Sequence, residues 1–208
     1  MAALLTHPNG LFTFDPVEHL YRLDGQIIPG VSDILEETGL KHGYNGFQEA
    51  QYRGLHVHRA CEYLDLNDLD WNSIHPAYVG YVKAWQAWKA EYGFVPELIE
   101  YQAYHSQFRY GGTLDRRGVV RTMLADGSHK AVSWRVLVDL KTGAPEPWHR
   151  WQLAGYQLLG GEAWLTDRRL AVYLHDDGTF TMQEFSDPTD LRVFLAAVTI
   201  THAKRSLR

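Results

Sequence analysis

The chain has 208 residues, 45% of them hydrophobic, with 20 Lys+Arg against 25 Asp+Glu and a formal net charge of −5. That is enough apolar material for one well-buried domain, and it excludes the overall basic balance of a nucleic-acid coat or architectural protein. The single cysteine, Cys61, excludes an intrachain disulfide, an all-cysteine zinc site and an iron–sulfur cluster held by this chain alone.

No apolar run of about 18 residues and no charged-then-apolar leader occurs, so neither a membrane span nor a signal peptide is expected, and the cytoplasm is the expected compartment. Taken from the N-terminus, residues 11 to 30 read as short strands, Leu11 to Phe14, His19 to Leu23 and Gln26 to Pro29, around an Asp24-Gly25 turn. Ser32 is a suitable N-cap for a helix over Asp33 to Thr38 that stops at Gly39. After a Gly43 to Gly46 loop, a longer helix is predicted from Phe47 to Leu64, carrying Gly54-Leu55-His56-Val57-His58. Glu62 lies one turn beyond His58 and shares its face. An imidazole so placed suits a metal, although a single helix histidine is more commonly a satisfied core or surface group. The His56/His58 pair lacks the further Asp-His of a zinc hydrolase. Pro76 to Tyr92 is predicted as a helix with Tyr78, Val82, Trp85 and Trp88 at helical spacing, a packing stripe first and a base-stacking stripe second.

From Pro96 the period becomes that of strands: Glu97 to His105, Gly112 to Met123 and Lys130 to Thr142, with a turn at Ala125-Asp126-Gly127-Ser128. If that hairpin is centred on Gly127, Asp115 and Asp139 are equidistant from the centre and face each other on paired strands. A one-residue change in turn length would send one of them to the opposite face. Along Val136-Leu137-Val138-Asp139-Leu140-Lys141-Thr142, alternation sends Asp139 and Lys141 one way and Val136, Val138 and Leu140 the other. Carboxylates that hold a divalent cation, beside a lysine that orients water or offsets charge developing on phosphorus, are what phosphodiester hydrolysis requires. The plainer role for Lys141 is a salt bridge to Asp139. Glu100, on the preceding strand, is close enough in sequence order to approach the site, with salt bridging its first expected role.

A helix from His149 to Leu159 follows, with Gln152 and Tyr156 on one face, where an amide and a phenol could hold a phosphate oxygen or the Lys141 ammonium. Strands at Leu170 to His175 and Thr179 to Phe185 flank Asp177-Gly178, and a final helix from Pro188 to Lys204 starts after Asp187 as N-cap. Arg109, Arg116, Arg117 and Arg150 are candidate DNA contacts, ordinary solvated surface being the alternative. With no repeat, low-complexity tract or linker, one domain is expected over residues 1–208, with an N-terminal hairpin and helical part (1–95) and a sheet core (96–208). No P-loop is present, so no motor is encoded in these residues.

The segments Gly54-x-x-Val57-His58, Gly112-Thr113-Leu114-Asp115, Val138-Asp139-Leu140-Lys141-Thr142 and Gln152-x-x-x-Tyr156, in this order, resemble the motifs of the PD-(D/E)XK nuclease superfamily. Within it they resemble the RecB-type and phage-type exonuclease branch, which includes the mitochondrial genome maintenance exonucleases. Phe14 to Leu35, with His19, Tyr21 and Pro29-Gly30-Val31-Ser32-Asp33-Ile34-Leu35, is similar to the start of small phage proteins of this group. The resemblance implies an α/β restriction-endonuclease-like core, a small mixed sheet flanked by helices, with the N-terminal hairpin and helices as a substrate-guiding cap. It implies His58, Asp115, Asp139 and the Leu140 carbonyl as ligands of one or two Mg2+ or Mn2+ ions; Glu62 and Glu100 are outlying candidates from their positions on the helix and the preceding strand alone. Lys141 would be the catalytic lysine, and Gln152 and Tyr156 would complete the site. Asp139 stands where many members carry Glu, and the single cysteine separates the chain from relatives that hold an iron–sulfur cluster.

The implied activity is that of a metal-dependent DNA nuclease, an exonuclease on linear ends in phage or bacterial recombination or repair. A single-strand annealing or recombination protein is a candidate partner, and an oligomer is compatible with such a role. Little sequence specificity and strong salt dependence are expected of a site that grips phosphates. The alternatives are a structure-selective or nicking endonuclease built on the same core, and a non-catalytic module that binds DNA ends.

Overall fold

The computed structural model describes residues 4–7, 10–42, 48–123 and 129–207. At the N-terminus, β1 (Leu4–His7), β2 (Gly10–Asp15), β3 (Leu20–Leu23) and β4 (Gln26–Ile28) form an antiparallel sheet in chain order. Asp24 and Gly25 both have positive φ, 53° and 77°, as a two-residue hairpin loop between Leu23 and Gln26 demands. Alternation on β2 and β3 turns Phe12, Phe14, Tyr21 and Leu23 inward, where with Ile28 they make a small core of their own. β1 is an addition to the three strands expected from the pattern.

α1 (Val31–Glu37) begins a residue before Ser32, because Gly30 takes the N-cap position and its N–H donates to Asp33 Oδ2 at 2.9 Å. A Cβ at Gly30 would stand 2.9 Å from the Tyr21 ring, which is how the small sheet and the start of α1 come so close. α2 (Gln48–Asp65) follows, then a 3-10 turn at Pro76–Tyr78 and α3 (Val79–Tyr92), which ends at Gly93 in the left-handed conformation. Val82, Trp85 and Trp88 of α3 are wholly buried, with the two indoles stacked at 5.0 Å, so this part of the aromatic stripe is core and not a base-stacking surface. Tyr78 alone stays half-buried at its edge.

The second sheet runs β5 (Val95–His105), β6 (Tyr110–Met123), β7 (His129–Lys141), β8 (Arg168–Leu174) and β9 (Phe180–Phe185) in chain order. All neighbours are antiparallel except β7 and β8, which are parallel and are joined by a crossover containing α4 (His149–Leu159). α5 (Thr189–Ser206) closes the chain, with Asp187 Oδ1 accepting the Thr189 N–H at 2.8 Å.

Both faces of this sheet are covered. Val136, Val138 and Leu140 pack with Val57, Val82, Trp85 and Trp88 of α2 and α3, whereas Leu137 packs on the other side with residues of α1, α4 and α5. The β6–β7 register pairs Arg116 with Val138 and continues without a slip to Arg121 with Ser133, the spacing expected of a hairpin centred on Gly127. The Ala125 to Ser128 turn itself lies outside the described residues. No described helix is long and apolar enough to cross a membrane.

Candidate metal centre

The site forms where the regular ladder gives way. Pairing of β6 with β7 stops at Arg116 and Val138, one step short of Asp115 and Asp139. In place of a main-chain acceptor, the Asp115 carboxylate takes the Leu140 N–H on Oδ2 at 2.6 Å. On the other side of β6, Ile99 pairs with Arg116 and Tyr101 with Leu114, and between them Glu100 adopts a left-handed φ of 45°. Such a backbone at a non-glycine residue costs roughly 1–3 kcal/mol, and the surrounding structure must hold it. β6 also changes sides here: Leu114 belongs to the core under α4, whereas the Arg116 side chain reaches Asp65 at the end of α2.

α2 brings His58 to this break. Its Nδ1 lies 3.5 Å from Asp115 Oδ1, and its Nε2–H donates to the Leu140 carbonyl at 3.0 Å. One ligand atom each of His58, Glu100 and Asp115 lie within 4.8 Å of one another. An octahedral Mg2+ with bonds of about 2.1 Å would set opposite ligand atoms about 4.2 Å apart, so atoms within 4.8 Å of one another need to close by only a few tenths of an ångström to share a small divalent cation. The two carboxylates and the main-chain carbonyl are hard oxygen donors suited to Mg2+ or Mn2+, and the imidazole adds a borderline nitrogen that Mn2+ accepts more readily than Mg2+. No protein-family model matches the chain, and no curated protein matches it.

Beside this grouping, Lys141 Nζ lies 2.5 Å from Asp139 Oδ2 and donates to Gln152 Oε1 at 2.8 Å. The Asp139 contact is a close ion pair rather than a well-aligned hydrogen bond, for Oδ2 has no hydrogen-bond partner by geometry. Gln152 Nε2 in turn donates to the Tyr156 hydroxyl at 3.1 Å, and the Trp148 ring lies 5.1 Å from the ammonium. The expected i, i+4 pair on α4 is therefore one relay that fixes the lysine.

Burial and the charges packed together here compete, and the outcome differs from group to group. Burial pushes Asp139 up to about 6, with Lys141 pulling the other way and Asp115 adding to the rise. Burial and the neighbouring Asp115 charge lift Glu100 to about 7. For His58, burial opposes the charged form, but Asp115 outweighs it and raises the imidazole to about 9. Asp115 stays below the ordinary carboxylate range although burial works against it, because His58, Lys141 and the Leu140 N–H all favour its charge.

A cavity of about 780 Å³ opens over the cluster. Its walls include Tyr21 and Thr113, whose hydroxyls are 2.9 Å apart, together with the start of α1 and Gly54 and Leu55 of α2. Among the described residues, a Cβ at Gly54 would meet only Thr142 Oγ1, at 3.8 Å, so the glycine leaves the wall low above the site.

The structure thus gathers His58, Asp115, Asp139, Leu140, Lys141, Gln152 and Tyr156. Glu100, expected first as a salt-bridging residue, both pairs with Arg116 Nη1 at 2.8 Å and joins the cation-sized grouping. Glu62 does not take part: it pairs with Arg59 at 3.3 Å. Of the candidate DNA contacts, Arg116 requires correction, since its side chain is wholly buried between Asp65 and Glu100 and offers a polyanion no surface. Arg117 holds Asp167 at 2.7 Å, Arg150 holds Asp190 and Asp187, and Arg109 holds Gln26. Asp65 went unnoticed in the sequence. It accepts from both Lys89 and Arg116 at 2.5 Å and from Trp85 Nε1 at 3.0 Å. Its position two turns after His58 on the same helix face was the available signal.

Proposed function

We propose that the chain is a divalent-metal-dependent nuclease of PD-(D/E)XK type that hydrolyses DNA phosphodiester bonds, working as an exonuclease on linear ends. The observation that carries the reading is the seating of Lys141. Its ammonium is fixed by Asp139 and Gln152 on the strand whose previous residue, Leu140, is bonded to both Asp115 and His58.

His58, Glu100 and Asp115, with the Leu140 carbonyl, are the residues that would hold Mg2+ or Mn2+. A cation there supplies Lewis acidity toward a phosphate oxygen and lowers the pKa of coordinated water. Lys141 orients the attacking water and offsets the charge that builds on phosphorus. Asp139 pairs with that lysine, and Tyr156 fixes the Gln152 amide so that its oxygen faces the ammonium. Positions of this kind read the sugar–phosphate chain and not base edges, which supports cleavage with little sequence preference.

The test is cleavage of end-labelled linear and closed-circular DNA in magnesium, manganese or chelator, comparing wild type with Lys141→Ala. Metal-dependent loss of the linear substrate alone, absent in the variant, is the expected result. Nicking of the circle would replace the exonuclease reading with an endonuclease one. An intact substrate in every metal, with DNA still bound, would overturn the catalytic reading in favour of an end-binding module.

A further inference from the structure

α2 has a second working face. While His58 looks into the cavity, Tyr52, His56, Arg59, Ala60 and Tyr63 come around the other side of the helix and form one wall of a separate groove of about 450 Å³. The segment from Leu69 to Tyr78 forms the other wall. The rings are arranged as a series: Tyr52 and His56 have centroids 4.2 Å apart, His56 and Tyr78 lie 5.9 Å apart and within 13° of parallel, and His75 and Tyr78 lie 5.3 Å apart. The Arg59 guanidinium sits 5.2 Å from the Tyr63 ring centre.

Packing does not account for this arrangement. Tyr78 leans on the core beneath α3, but Tyr52 and His56 belong to no core cluster, and Tyr52 is 58% exposed. Among the described residues, the lining contains an arginine and two histidines and no carboxylate, in a chain with 25 Asp+Glu. Arg59 does pair with Glu62 at 3.3 Å, yet its side chain remains 63% exposed and open to a further anion. Ring faces without a fixed set of base-edge donors, beside an exposed guanidinium, are the means by which proteins hold unpaired bases irrespective of sequence.

We propose that this groove binds the bases of a single DNA strand and holds them unpaired on the far side of α2 from the His58 cluster. The inference rests on the nuclease reading for its biological sense and narrows it: the form of DNA handled at this helix is single-stranded. Tyr52 offers its face to one base, the near-parallel His56 and Tyr78 offer theirs to a neighbouring one, and Arg59 meets the phosphate between them.

The test is fluorescence anisotropy with labelled oligothymidylate in magnesium, in a Lys141→Ala background that keeps the strand intact. Adding Tyr52→Ala and His56→Ala together is expected to weaken binding by on the order of ten-fold. Tyr52→Phe with His56→Phe is expected to bind as the parent does, because the planes remain. Binding of a blunt duplex should change far less than that of the single strand. Parent-like affinity in the alanine pair, an equal loss in the phenylalanine pair, or no binding by the parent would each overturn the proposal. Both exchanges are at exposed rings, so a folding loss is not expected, and a thermal melt of each variant checks it. The outcome is separable from that of the nuclease reading: absence of cleavage by wild type leaves the oligothymidylate comparison intact, and parent-like binding by the alanine pair leaves cleavage of linear DNA intact.

Discussion

The Asp115 carboxylate stands in for a main-chain carbonyl as the partner of the Leu140 N–H, at 2.6 Å. One residue thus ends a β-ladder and places a carboxylate oxygen beside His58 and Glu100, which ties the shape of the strand to the charge of the site.

That double role separates two substitutions. Asp115→Asn keeps an oxygen for the Leu140 N–H and should leave the metal-free melting temperature close to wild type. Asp115→Ala leaves a buried donor unsatisfied and should cost about 1–3 kcal/mol. Both should lose the thermal stabilisation by Mg2+ or Mn2+ that wild type is expected to show. A metal-dependent shift retained in Asp115→Ala would remove Asp115 from the ligand set.

Arg116 bridges Asp65 and Glu100 with its side chain wholly buried. Arg116→Ala would remove the guanidinium from the buried Asp65, leaving it Lys89 and Trp85, and from Glu100, and a loss of about 3 kcal/mol in denaturant melts is expected. Replacing Arg117, which holds Asp167 from an 11% exposed position, should cost less. The reverse ranking would contradict the burial described here.

His149 gives the chain an acid-sensitive point. Burial first, then Lys141 and Lys41, drive its imidazole down to about 3, and Nδ1 accepts from the Glu146 N–H and faces the Tyr173 hydroxyl. The unfolded chain takes up this proton near the ordinary histidine value, before the folded one does. Stability from this group is therefore complete above that value and drains away as pH falls from about 6.5 toward 3. Asp139 and Glu100 act in the opposite direction, since their raised values favour the folded form on protonation. Urea midpoints followed downward through this window should fall more steeply for wild type than for His149→Gln. Parallel curves would mean that His149 is not held neutral.

Gly80 tests the contact between α3 and the β8–β9 turn. A Cβ there would come 1.6 Å from the Asp176 carbonyl, a main-chain atom that cannot swing aside. Gly80→Ala should destabilise by about 1–3 kcal/mol despite alanine's better helix propensity, measured by thermal or urea melts. A stabilised variant would place this turn elsewhere.

The parts of the fold that local chemistry specifies were readable in the sequence. α4 spans the residues its pattern indicated, and the β6–β7 register follows the spacing about Gly127. Two hidden features were not. Glu100 in a left-handed backbone carries no local mark, because glutamate has no intrinsic preference for that conformation and tertiary contacts impose it. Arg116 reads as a surface cation until its partner is known, and that partner, Asp65, comes from a helix 51 residues earlier. Charge pairs of this kind are set by which strand crosses which helix, and neither residue type nor periodicity encodes that. The aromatic pattern of α3 was correctly periodic, yet periodicity alone does not separate a core stripe from a stacking one.

The crossover between β7 and β8 has one more consequence. Two parallel strands can be joined only by carrying the chain back across the sheet, and here the returning segment is α4 itself. Gln152 is therefore delivered to Lys141 by the same movement that lays β8 beside β7. The seating of the lysine and the β7–β8 pair thus rest on one connection, and a displacement of α4 would unseat the lysine with every residue of the relay still in the chain.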